Sequence, residues 1–188
     1  MQSGPPTRLF KYQVNADNRI DWVDSEWLSF ACENDASHLN TEAVVGEPLF
    51  RFIDGIETQH LYRMILDRVR RVQQSIVIPF RCDSPSVRRF MELDVSPCVN
   101  RAVQFSGRIV QEQQRRSVLL LDSSVGRTDE FVVVCSWCKR IAASGLWLDV
   151  EHAVRKLRLF DESRLPLLTH GICIDCRERM LQEIDKAG

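Results

Sequence analysis

Hydrophobic and polar positions alternate along this chain in two rhythms. Between residues 57 and 72, Leu61, Ile65, Val69 and Val72 recur at helical spacing while Arg63, Asp67, Arg70 and Arg71 take the other side, which predicts a long amphipathic helix. Over residues 87–95 the period drops to two: Met91, Leu93 and Val95 share one face and Glu92 and Asp94 the other, as in a half-buried antiparallel strand. Residues 75–82 and 102–110 read as strands on either side of it, and Pro79 marks the first as an edge strand or a bulge. Upstream, residues 19–23 alternate over the length of a short strand. Asp24 or Ser25 then has the chemistry of an N-cap, and Trp27, Leu28, Phe30 and Ala31 supply the apolar side of a short helix that stops before Asn34-Asp35. Gly46 and Pro48 interrupt residues 44–55, which are expected to form short turns planting Leu49, Phe50, Phe52 and Ile53 in a core. A strand, short helices, a long helix and three antiparallel strands describe an α+β domain with one sheet.

The flanks are less regular. Residues 1–19, with Gly4-Pro5-Pro6, read as a loose lead-in, residues 20–112 as the α+β domain and residues 113–130 as a linker. Inside that linker Ser117 to Leu121 returns to apolar character, as a strand or a helical turn. Residues 131–188 form a second, smaller module that opens with a strand, Phe131-Val132-Val133-Val134. A helix is expected from Asp149, with Ala153, Leu157 and Phe160 on one face and Val150 and Val154 beside them. Leu165-Pro166-Leu167-Leu168-Thr169 follows, and Asp175 or Cys176 opens a last helix.

The second module carries the candidate chemistry. Cys135-Ser136-Trp137-Cys138 is answered by His170-Gly171-Ile172-Cys173-Ile174-Asp175-Cys176. Two residues between cysteines let one tight turn aim both sulfurs at a single ion, and a second such turn completes a tetrahedron. Zinc is the expected metal. Thiolates also suit iron, but iron–sulfur proteins usually show other spacings. The gap between the pairs exceeds that of a compact zinc ribbon, so secondary structure must sit between the turns. His170 either replaces a cysteine as ligand or donates a hydrogen bond to a sulfur; four cysteines already fill the tetrahedron, which places His170 outside it. Four thiolates close the site, whereas a catalytic zinc needs an open position and a nearby base, so the metal is read as structural and the chain as no enzyme. Ordinary buried thiols or redox chemistry at either pair are the competing readings, and no thioredoxin-like context surrounds either pair. Trp137 and Trp147 are expected to cover the metal.

Composition narrows the picture further. A 188-residue chain that is 44% hydrophobic has room for one full domain and a small metal-stapled one. No apolar run approaches the roughly 20 residues of a membrane span, and the amino terminus lacks the basic-then-apolar pattern of a secretory signal, so a cytoplasmic location is expected. Of the seven cysteines, Cys32, Cys82 and Cys98 lie far apart and read as small core residues. Net charge is −1, and from Phe131 onward nine Lys and Arg face eight Asp and Glu. Without a basic excess, nucleic acid is an unlikely partner. A zinc-dependent nucleic-acid-binding regulator is the alternative reading, because a folded face can still gather Arg155, Lys156, Arg158 and Arg164.

The order of elements over residues 20–110, especially Val45-Gly46-Glu47-Pro48-Leu49-Phe50-Arg51-Phe52-Ile53 leading into a long helix and three strands, resembles a PAS domain. The tail resembles a cysteine-rich segment attached to bacterial PAS-containing and other signalling proteins, with the pattern Cys-Ser-x-Cys-Lys, Gly-x-Trp, a helix, and His-Gly-x-Cys-Pro-x-Cys. Here these are Cys135 to Lys139, Gly145-Leu146-Trp147 and His170 to Cys176, with Ile174 in place of the usual proline. The resemblance implies a bacterial, intracellular, non-enzymatic sensor or adaptor with a protein partner, an unidentified small-molecule ligand on the PAS-like domain, and a tendency to dimerise. A flavin-bonding Asn-Cys-Arg-Phe-like motif does not occur before Glu57. His60 is the one position suited to an axial haem ligand, and a solvated polar histidine is the simpler reading. Kinase, cyclase and receiver signatures are absent.

Overall fold

A computed structural model describes residues 8–159 and 164–186, so Gly4, Pro5, Pro6 and Phe160 lie outside the described residues. Five strands make the first sheet: β1 (Leu9–Val14), β2 (Ile20–Val23), β3 (Ile76–Arg81), β4 (Val87–Pro97) and β5 (Val103–Gln114). They are antiparallel in the order β2-β1-β5-β4-β3. Between β2 and β3 run α1 (Ser25–Glu33), α2 (Thr41–Val44), a 3-10 turn (Leu49–Phe52) and α3 (Ile56–Val72). The architecture is thus α+β, an antiparallel sheet with flanking helices.

Local chemistry sets these elements. Asp24 caps α1 by accepting from the Trp27 amide at 2.6 Å, and Asn34 ends that helix. In α3 the expected stripe is buried at Leu61, Ile65 and Val69, with Leu66 beside it. Met91, Leu93 and Val95 are buried on β4, and Leu93 and Val95 share a core with Val14, Val103 and Phe105. Pro79 sits on β3, an edge of the sheet, where its missing N–H costs no ladder bond. Two expectations change. The lead-in contains β1, paired on both sides, with Phe10 and Val14 buried. Phe52 stays out of the core, 38% exposed, while Leu49 enters it.

A second sheet follows in the order β8-β7-β6-β9. Its strands are β6 (Arg127–Cys135), β7 (Ile141–Ala143), β8 (Leu146–Leu148) and β9 (Leu165–Gly171), with α4 (Val150–Lys156) between β8 and β9 and α5 (Ile174–Lys186) at the end. β6 begins inside the expected linker. Ser144 and Gly145 join β7 to β8 in a two-residue hairpin loop, both with positive φ, as the right-handed strand twist favours. α4, β6, β7 and the Val118–Leu120 segment enclose a core of their own around Ile141, Val150, Ala153 and Leu165.

The two parts share more than a boundary. Cys135, Trp137, Ile172, Cys173, Cys176, Met180 and Ile184 belong to the same buried cluster as Ile65, Val95 and Phe105. α5 lies against α3 and β3. The Arg81 amide at the end of β3 donates to the Trp137 carbonyl at 2.7 Å, so the edge strand continues into the first cysteine turn. On the far side, Asp83, whose side chain is 1% exposed, lies between the guanidinium groups of Arg81 and Arg115. Arg81 also reaches Asp149 at 3.2 Å, and Arg88 reaches Glu151 at 3.0 Å. This ion cluster ties the β3–β4 turn to the start of α4.

Candidate metal centre

The site follows from a parallel pairing. β6 and β9 run in the same direction with Val134 opposite His170 and Cys135 opposite Gly171, so their carboxy-terminal ends, each opening into a cysteine turn, lie side by side. Parallel strands need a crossover of a dozen or more residues, and the β7–β8 hairpin with α4 supplies it. That accounts for the long gap between the cysteine pairs. The first turn is closed by the Lys139 amide on the Cys135 carbonyl, 3.0 Å, and the Cys135 amide on the Arg140 carbonyl, 2.8 Å. Lys139 takes a left-handed backbone conformation to make it. In the second, Cys173 precedes α5 and Cys176 lies in its first turn, where the helix dipole favours thiolate. The Ser136 amide donates to the Gly171 carbonyl at 2.9 Å and locks the turns together.

All four Sγ atoms of Cys135, Cys138, Cys173 and Cys176 lie within 4.8 Å of one another. Cys173 Sγ is 3.7 Å from Cys135 Sγ and 3.6 Å from Cys138 Sγ. A tetrahedron with zinc–sulfur bonds of about 2.3 Å has edges of about 3.8 Å, so the spacing is that of sulfurs around one ion. A disulfide requires about 2.05 Å, and every cysteine is free. The donor set is compatible with zinc, whose thiolate sites are soft and tetrahedral.

Electrostatics point the same way. Hydrogen bonds from Cys138 and Cys176 push the Cys135 thiol strongly down. The same bond to Cys135 pushes Cys138 up to about 11 and drives Cys176 upward as well. A buried cluster of this kind tolerates one negative charge, not four; a divalent cation is what permits all of them to ionise. The Cys173 amide already donates to Cys135 Sγ at 3.4 Å.

Gly171 and Gly55 are fitted to close approach. A Cβ on Gly171 would stand 2.9 Å from Val133 Cγ1, and one on Gly55, at φ +87°, would stand 3.1 Å from the His170 carbonyl. His170 is not among the clustered donors. Its Nδ1 faces Asp54 Oδ2 at 3.4 Å, and burial, with Lys139 nearby, lowers its basicity. Trp137 is buried and stacks on Tyr62 of α3 with ring centroids 5.3 Å apart. Trp147 packs against the same core. His60 is exposed on α3.

The fold alone reveals a further group. Thr58, Tyr62, Arg81, Cys82, Ser136 and Lys139 border a cleft of about 390 Å³ beside the first cysteine turn. They come from three distant stretches of sequence. Among the described residues, no helix is long and apolar enough to cross a membrane. No family model matches the chain, and no curated protein matches it.

Proposed function

We propose that the chain is a non-enzymatic bacterial signalling or regulatory module. In it a PAS-like sensor or adaptor sheet is clasped by one structural zinc at Cys135, Cys138, Cys173 and Cys176, and the joined surface serves protein interaction. The observation that carries the reading is the sulfur spacing of 3.6 and 3.7 Å in a cluster seated between the two cysteine turns. The element order on which the PAS resemblance rests, with short helices and a long helix leading into three antiparallel strands, supports the sensor half. A site closed by four thiolates leaves no position for water or substrate, which supports a structural over a catalytic metal. The shared core supports a sharper role than stapling a separate tail: the metal holds α5 and Trp137 on α3 and β3.

Metal analysis with a native mass spectrum of the purified protein tests this. The expected result is about one zinc per chain. A Cys173→Ser variant that keeps full zinc affinity contradicts the assignment. The spectrum also reports subunit number and any co-purified molecule. Binding to duplex DNA that weakens steeply with salt would favour the nucleic-acid reading instead.

A further inference from the structure

The cleft of about 390 Å³ lies where α3, the end of β3, the first cysteine turn and the end of β9 converge. Its size is that of a small-molecule site. Its walls are aromatic, from Phe52, Tyr62, Phe80 and Trp137, and this is where the unexpectedly exposed Phe52 lies. Three of its polar residues, Thr58, Ser136 and Lys139, are linked by hydrogen bonds. Lys139 Nζ donates to the Ser136 carbonyl at 2.9 Å and has no carboxylate partner among the described residues, so two of its three N–H groups are unspent. Thr58 Oγ1, on a residue 3% exposed, lies 3.1 Å from Ser136 Oγ; two hydroxyls sharing one hydrogen bond leave one hydrogen to donate elsewhere.

Of the other charges, Arg81 is held by Asp83 and Asp149, while Asp54 stands at the rim, 78% exposed and facing a neutral His170, so its charge stays in solvent. One unpaired ammonium beside a hydroxyl pair suits a single negative charge with two acceptor oxygens. A phosphate dianion would be under-compensated by one ammonium. Aromatic walls suit an apolar body behind that charge.

We propose that this cleft binds a small organic monocarboxylate, its carboxylate on Lys139 Nζ and the Thr58–Ser136 hydroxyls and its apolar body against Phe52, Tyr62, Phe80 and Trp137. The proposal deepens the sensor reading and rests on it, because Ser136, Trp137 and Lys139 belong to the turn that the metal fixes. Occupancy would therefore be felt at the metal-held turn and at α3 together.

Benzoate is the probe. The full chain, with its zinc content measured first, is titrated by calorimetry, and backbone amide shifts locate the site. Saturable binding at about millimolar Kd or tighter is expected, with the largest shifts at Thr58, Tyr62, Ser136 and His170. Neutral benzamide should bind about tenfold more weakly or worse. Lys139→Met should weaken benzoate by about ten- to a hundredfold with zinc content unchanged, and Thr58→Val should weaken it by a smaller factor. The proposal is overturned if benzoate does not saturate by about 20 mM, if benzamide or inorganic phosphate binds as well, or if both variants bind benzoate as the parent does. A zinc-free protein that still binds benzoate through Lys139 would sink the metal reading and leave the carboxylate site standing.

Discussion

Replacing Trp137 by alanine asks whether the cysteine-bearing segment and the five-stranded sheet unfold as one unit. Trp137 is 4% exposed, stacks on Tyr62, and sits in a cluster with residues of α3, β4 and β5 on one side and α5 on the other. Removing a buried tryptophan costs about 3–5 kcal/mol. Its Nε1 is buried without a hydrogen-bond partner among the described residues, so the variant also sheds a desolvation penalty of about 1–3 kcal/mol. The net loss is therefore about 2 kcal/mol. With a urea slope of about 2 kcal/mol/M, the midpoint should fall by about 1 M. Urea titration followed by backbone amide signals from β4 and from α5 reads both parts separately, with zinc content checked in each sample. Coincident transitions that move together are expected. If the α5 signals shift and the β4 signals hold their midpoint, the shared core is not a cooperative unit and the reasoning fails. Met180→Ala, which deletes a buried side chain one helical turn beyond Cys176 on α5, should give the same coincidence with a loss of about 2–5 kcal/mol, zinc content being checked as before.

Three further outcomes follow from named contacts. Asp83→Ala strands Arg81 and Arg115 without their shared carboxylate and should cost about 3 kcal/mol, the low end for a broken buried pair because Asp149 and Glu151 remain; thermal unfolding measures it. Gly171→Ala forces a methyl against Val133 and should destabilise the fold by about 1–3 kcal/mol and speed zinc loss to a competing chelator, whereas unchanged zinc release would show that the turn has room. His170 is held neutral by burial and by nearby Lys139, so its folded pKa lies below its unfolded value of about 6.5. Between those two values the unfolded chain binds more protons, so stability rises with pH there and is lost as pH falls through the window. The difference in stability between parent and His170→Gln should shrink over that interval, and a difference independent of pH would contradict the assignment.

Much of this was legible in the chain because it is local. Three-to-four-residue recurrence at Leu61, Ile65 and Val69 identifies α3, alternation at Met91, Leu93 and Val95 identifies β4, and Asp24 marks the start of α1. The four sulfurs were legible for the same reason, since two residues between cysteines is a property of one turn. β1 also carried a period-two signal, in Phe10, Tyr12 and Val14, which the preceding Gly-Pro-Pro obscured. The Ser144-Gly145 hairpin was a readable loop as well. What could not be read is non-local. The parallel register of β6 and β9 pairs residues far apart in sequence, and nothing in Leu165 to Gly171 alone says which strand lies beside it. The fusion of the cysteine segment with the sheet core depends on α5 covering α3 and β3, and no periodicity within α5 names its neighbours. The cleft is assembled from four segments and has no sequence signature of its own.

The central claim is that one cation at the four thiols clasps the carboxy-terminal segment onto the sheet. Hydrogen exchange of the purified protein before and after zinc is removed by a chelator tests it most directly. Exchange should rise on removal in Ile76–Arg81 and in Ile56–Val72 as well as around the cysteine turns, because Arg81 and Tyr62 lose the partners that the metal-held turn supplies. Unchanged protection in the sheet and α3 after complete zinc removal would contradict it.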